Sequence, residues 1–316
     1  MGGLRLIATF GWFLQIIAAT AALTALAALA LDEPASARVF FASAVLMAFI
    51  ATALVVGFRG RGAPSRRRHG LALALASWIV LPAFAALPFI VLAETGLIAG
   101  YFEAVSVFTT TGSTALGSID QIPRALILWR AQLEWLGGAL TIVMAAAAVS
   151  VSGDTGEGGI HLLSSGLANV ERLKAIARVI LPVYALLTVL CYTALLLSGL
   201  AAFDAVALSL STISTGGAMP HDGDISAYQV PALAPLMCVF LILGAANFAL
   251  LSDPRGTANW LYHNRSTVMT RIALVFSVFA ILTIAFAGYA DPAEISGAKV
   301  VFEAIFTTVS LITTSA

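Results

Sequence analysis

The chain alternates long apolar stretches with short polar ones, and the apolar stretches are too long for strands and too unbroken for ordinary surface helices. Seven of them, at about 6–30, 39–58, 71–93, 124–150, 176–198, 231–251 and 269–290, reach the roughly 20 residues that a helix needs to cross hydrocarbon. Between them lie shorter apolar pieces, at about 98–108, 202–213 and 300–312, which stop well short of a crossing. The pattern predicts an all-α polytopic membrane protein with about seven transmembrane helices plus re-entrant half-helices. The first stretch is too long for a signal-peptide core and lacks a small-residue cleavage site, so it is expected to be a true span.

Each short piece runs into a segment of Thr, Ser and Gly: FTTTGST at 108–114, ISTGGA at 213–218 and ITTSA at 312–316. Anchored on Ser106, Ser211 and Ser310, the next six residues are VFTTTG, TISTGG and LITTSA, which brings Gly112, Gly217 and Ala316 into register. Such a repeat predicts a unit of helix, pore half-helix with filter hairpin, and helix, used more than once. The expected organisation is two N-terminal helices with a basic loop (1–69), a first pore unit (70–152), a second with its linker (153–252) and a third that is incomplete (253–316). Irregular backbone at membrane depth is tolerated where it is buried or lines water. Hydroxyls, and carbonyls freed by glycine, would offer a dehydrated monovalent cation neutral oxygen ligands; a divalent ion would want carboxylates. The candidate ligands are therefore Thr110, Thr111, Gly112, Ser214, Thr215, Gly216, Gly217, Thr313, Thr314 and Ser315, with Thr109 behind them. The competing use of such clusters is hydrogen bonding to helix backbones.

A half-helix whose carboxyl end faces a filter presents about half a negative charge to the cation, and acids suit its opposite end. Asp204 and Glu303 occupy that end, whereas Glu103 lies one turn nearer the filter. Glu134 stands four residues after Arg130, a spacing at which the two can pair on one helix.

Composition supports the membrane reading, with 60% hydrophobic and 10% charged residues, and excludes a soluble enzyme. The formal net charge of zero hides an asymmetry. The loop 59–69 carries Arg59, Arg61, Arg66, Arg67 and Arg68, which places it and the N-terminus in the cytoplasm. Arg5, Arg172, Lys174, Arg178, Arg255, Arg265 and Arg271 then also lie inside, and of the acids only Asp154, Glu157, Glu171 and Asp253 do. The acidic outer side would concentrate cations. Cys191 and Cys238 fall within spans and suggest packing rather than a disulfide. The four histidines are scattered and no HExxH occurs, so neither a resident metal, a covalent cofactor nor enzyme chemistry is expected. GDTGEGG at 153–159 lacks the spacing of a phosphate loop, and nothing points to nucleic acid.

These hairpins, with LWRAQLEWLGG at 128–138 and GAANFAL at 244–250, resemble the TrkH/KtrB/HKT superfamily of potassium transporters. The TrkH-like branch is the most similar, through the two extra N-terminal spans and through Trp129, Arg130, Trp135, Gly137 and Gly138. Further similarities are GEGGIHLL at 156–163, the His221 and Asp222 pair, and Asn247 with Phe248. The resemblance implies potassium uptake across the bacterial inner (plasma) membrane, potassium being the substrate and Gly112 favouring it over sodium. It also implies four units around one pore, a homodimer in membrane lipid, and a cytosolic nucleotide-binding regulatory subunit. Four features depart from the family's pattern: the chain stops at Ala316 within the third segment, Ala316 replaces a glycine, NRST at 264–267 lacks an acid, and Glu134 replaces an uncharged polar residue. The first keeps open a second expectation, a truncated non-conducting fragment or assembly subunit.

Overall fold

The structure is a computed structural model that describes residues 3–58, 67–149, 170–223, 225–228, 230, 232–245 and 297–313. Among these residues every long element is a helix: α1 (Gly3–Ala30), α2 (Pro34–Phe58), α3 (Arg67–Ala85), α4 (Leu87–Leu92), α5 (Leu97–Phe108), α6 (Arg124–Val149), α7 (Val170–Leu197), α8 (Ala202–Ser214), α9 (Leu233–Gly244) and α10 (Gly297–Thr313). Four spans among the described residues are long and apolar enough to cross a membrane: Leu6–Ala30, Pro34–Phe58, Ala72–Leu92 and Leu173–Leu197. Helix α6 has the length, at 26 residues, but carries Arg124, Arg130 and Glu134. The expected spans at 231–251 and 269–290 lie partly and wholly outside the described residues.

The third expected span is not one helix. Pro82 lies within α3 and Pro88 opens α4, so two N–H donors are missing where the chain breaks at Ala86. The Ala85 carbonyl is satisfied from outside instead, by the Trp129 indole N–H at 3.1 Å. That bond fixes α6 against the break, and Phe40 of α2 meets the Trp129 ring edge-on at 5.6 Å.

Two units of helix, half-helix and helix recur in the packing. Half-helix α5 packs between α3 and α6, and α8 packs between α7 and α9. Helix α6 closes the first unit and also lies against α7 and α8, so it belongs to both cores. One core gathers Leu14, Phe40, Phe89, Phe108, Trp129 and Leu133. The other gathers Ala139, Tyr184, Cys191, Leu208, Ile213 and Phe240. The outward faces of α2 and α7 are just as apolar, with Phe41, Val45, Phe49, Val179, Leu186 and Val189 exposed. Such a surface is stable against lipid and costly against water.

Helix ends are tied by side chains from neighbouring elements. Glu33, in the turn between α1 and α2, accepts the N–H groups of Arg124 at 2.8 Å and Ala125 at 3.2 Å. These are orphan donors of the first turn of α6, where a carboxylate also suits the helix dipole. Thr24 donates to Gln132 at 2.6 Å, a second polar tie from α1 to α6.

Candidate functional site

The half-helices α5 and α8 end in the same turn. After α5, the Thr111 N–H donates to Ser106 O at 2.8 Å and the Thr110 N–H to Val107 O at 3.1 Å. After α8, the Gly216 N–H donates to Ser211 O at 2.9 Å and the Thr215 N–H to Thr212 O at 3.1 Å. This paired closure requires a left-handed residue just past the helix, normally glycine. Here it is threonine twice, with φ of 56° at Thr110 and 54° at Thr215. Two residues on, Gly112 and Gly217 both take φ of 78°. Thr110 and Thr215, and Gly112 and Gly217, are the pairs the sequence repeat aligns, so the backbone path repeats residue for residue.

The two segments are neighbours. A Cβ on Gly112 would collide with the Gly216 carbonyl oxygen and crowd the Gly217 carbonyl carbon. Carbonyls of one segment thus come close to the glycine of the other, an approach that only a residue without a side chain permits. Gly137 and Gly138 let α6 reach the same place. A Cβ on Gly137 would strike the Phe108 carbonyl oxygen, and one on Gly138 would press on Tyr184 Oη and Ser214.

Not every candidate hydroxyl is free to turn. Ser214 donates to the Leu210 and Ser211 carbonyls, both at 2.9 Å. Thr109 bonds the Val105 and Ser106 carbonyls in the same way, and Thr313 those of Val309 and Ser310. The three occupy equivalent positions, and the third half-helix therefore ends on the same bond as the other two. Thr111 meets Thr109 hydroxyl to hydroxyl at 2.8 Å. Thr314 and Ser315 lie outside the described residues, as does Ala316.

The backs of the segments are held by acids. Glu103 is fully buried, and one carboxylate oxygen accepts the Thr114 hydroxyl at 3.0 Å and the Ala115 N–H at 2.9 Å. Its other oxygen pairs with Arg130 Nε at 2.8 Å. Arg130 also reaches the Met219 carbonyl at 3.5 Å. The expected partnership of Arg130 with Glu134 is thus corrected: α5 presents Glu103 to the guanidinium across the helix interface. Glu134 turns to the second segment and accepts the Ala218 N–H at 3.1 and 3.4 Å. Ser106 braces the first segment by donating to the Ser113 carbonyl. Sequence reasoning missed Glu103 and Glu134 as braces, although each is an acid within an apolar helix, which is itself a functional signal.

Beyond the segments, two loops lock together. Asp222 accepts the Ser118 hydroxyl and, at 2.9 Å, the Ile119 N–H. His221 lies between Asp120, 2.8 Å from Nδ1, and Asp204, 3.1 Å from Nε2. The hydrogen bond with Asp120 is the largest influence raising the His221 pKa above its ordinary 6.5, and Asp204 adds to it. The Ser118 hydroxyl, then the Ile119 N–H, hold Asp222 below the usual carboxylate range. Asp204 stands in the first turn of α8, as expected, and serves this latch. Among the described residues no cluster of three or more His, Cys, Asp or Glu could hold a metal ion.

Residues 36–254 match the family model described as TrkH, cation transport protein. The Trk system potassium uptake protein TrkH of Vibrio parahaemolyticus is 30% identical over 256 residues, covering 75% of this chain and 52% of that protein. TrkI of Halomonas elongata is 32% identical over 244 residues, covering 76% and 49%. TrkH of Salmonella typhimurium is 33% identical over 194 residues, covering 58% and 40%. The crystal structure of the potassium transporter TrkH from Vibrio parahaemolyticus superposes with a TM-score of 0.81 at 26% identity, over 98% of this chain and 64% of that one. The chain spans about half the length of the curated relatives it matches. It belongs to the TrkH family of cation transport proteins.

Proposed function

We propose that this chain serves potassium uptake across the bacterial inner membrane, with the Thr/Ser/Gly segments as its cation filter. One observation carries the reading. Thr110 and Thr215 share one left-handed conformation and Gly112 and Gly217 another, at the ends of two half-helices whose filter segments touch. The carboxyl ends of α5 and α8 bring partial negative charge to that place without a charged trap. Thr110, Thr111, Gly112, Thr215, Gly216 and Gly217 supply carbonyl and hydroxyl oxygens. Ser214 and Thr313 contribute through the helix ends their hydroxyls tie, and Thr314 and Ser315 extend the third segment. The cation sheds water, binds weakly enough to leave, and moves inward down its electrochemical gradient.

The pore units then run over 70–152 and 153–252, with a third from 253 and the helices of 1–69 outside them. The potassium uptake named for the relatives supports the substrate. Arginine clustering at 59–69 supports a cytoplasmic N-terminus. A homodimer and a cytosolic nucleotide-binding regulatory subunit follow from the family resemblance. The test is rubidium uptake by cells lacking their own potassium importers and expressing this chain at verified membrane levels. Uptake above that of the same cells without the chain, and displaced by potassium, is expected; none would overturn the transport reading.

A further inference from the structure

Among the described residues, the side chains buried behind the segments include more acids than bases. Glu103, Arg130 and Glu134 are all buried, with Glu103 and Glu134 at 0% exposure, and they comprise two acids and one base. Arg130 is committed to Glu103 at 2.8 Å, and that carboxylate is completed by the Thr114 hydroxyl and the Ala115 N–H. Glu134 has the Ala218 N–H, with the Ser211 hydroxyl beside it; the Arg130 charge acts on it from a distance, and among the described residues it makes no salt bridge. A buried carboxylate with no counter-ion in contact carries a desolvation cost of several kcal/mol.

Its position ties it to the second segment. A Cβ on Gly216 would collide with the Glu134 carboxylate, so the acid lies directly against the backbone of the second segment. The carbonyl oxygen of that same Gly216 is turned toward Gly112 of the first segment. The carboxylate therefore lies behind a residue whose carbonyl oxygen faces the neighbouring segment, and a side chain on Gly216 would have to displace it.

We propose that Glu134 supplies the counter-charge for a monovalent cation held at the second filter segment, and so helps to set that site's affinity. This rests on the filter reading above. Glu134 is a positioning residue as well, since its bond to the Ala218 N–H holds the outgoing backbone of the second segment, but the charge acts on the ion and the bond acts on the backbone. Substitution separates them. Glu134→Gln keeps the length and an acceptor for the Ala218 N–H and removes the charge; Glu134→Asp keeps the charge at shorter reach.

The experiment is thermal unfolding of the purified 316-residue chain in detergent, with potassium chloride replacing N-methylglucamine chloride at constant ionic strength. The parent is expected to gain stability as potassium rises. In Glu134→Gln the half-saturating potassium concentration is expected to rise about tenfold, the factor that ~1.4 kcal/mol produces, while Glu134→Asp stays closer to the parent. An unchanged half-saturation in Glu134→Gln, or an equal loss in both variants, overturns the proposal. If Glu134→Gln does not accumulate, the parent decides: stabilisation matched by choline and N-methylglucamine means no cation is held there and overturns it too. Potassium stabilisation in a chain that takes up no rubidium leaves this site standing while transport fails, so the two readings can fall separately.

Discussion

At the scale of single residues, glycine is used where backbone must approach backbone. Gly112 and Gly217 combine a φ of 78° with their place in the repeat, and both were legible because the hairpin occurs more than once. Gly137 was legible only as a site of close packing; the structure shows its partner to be the Phe108 carbonyl at the end of α5. Gly137→Ala must push that carbonyl away, at about 1–3 kcal/mol for overpacking. It is expected to lower the unfolding temperature and the rubidium uptake together, whereas unchanged values for both would show that α6 can move aside freely. Glu103 and Glu134 were not legible as braces, because their partners are backbone N–H groups and an arginine more than ten residues away. Helical spacing suggested Arg130 with Glu134, and the closer approach of Glu103 across α5 and α6 overrode it.

At the scale of elements, the half-helices were the most readable parts. The expected 98–108 and 202–213 became Leu97–Phe108 and Ala202–Ser214, because a short apolar run ending in Thr, Ser and Gly has few other uses. The break at Ala86 was hidden within an apolar run at 71–93, although Pro82 and Pro88 marked it. The latch between the loops was half visible. The His221 and Asp222 pair stood out, but its partners Ser118, Ile119 and Asp120 lie about a hundred residues earlier.

That latch has a pH dependence with a definite sign. His221 has its pKa raised in the folded protein, so its contribution is fully present below about 6.5 and is lost as pH rises through the higher folded value. Asp222 has its pKa lowered, so its contribution is present above about 3.8 and is lost as pH falls through the lower folded value. Stability of the loops should therefore decline as pH is raised from about 6.5. His221→Gln is expected to flatten this decline in thermal unfolding; an equal decline in parent and variant would assign the dependence elsewhere.

At the scale of the whole molecule, two arrangements of helix, half-helix and helix meet along α6, and the segments that follow their half-helices meet at Gly112 and Gly216. The fold class was legible throughout, because hydropathy alone separates a chain that buries its apolar faces in water from one that exposes them to lipid. The charge asymmetry rests in part on residues outside the described ones, and so it supports the orientation from sequence only. Competition against rubidium uptake is the measurement that reads the joint use of the two equivalent glycines. Potassium and sodium would be titrated as competitors in cells expressing the parent, Gly112→Ser or Gly217→Ser at matched membrane levels. Potassium should compete better than sodium in the parent, and each serine should narrow that preference by roughly tenfold, which ~1.4 kcal/mol of relative affinity produces. A preference unchanged in both variants, or altered in one alone, would show that the two glycines do not act together.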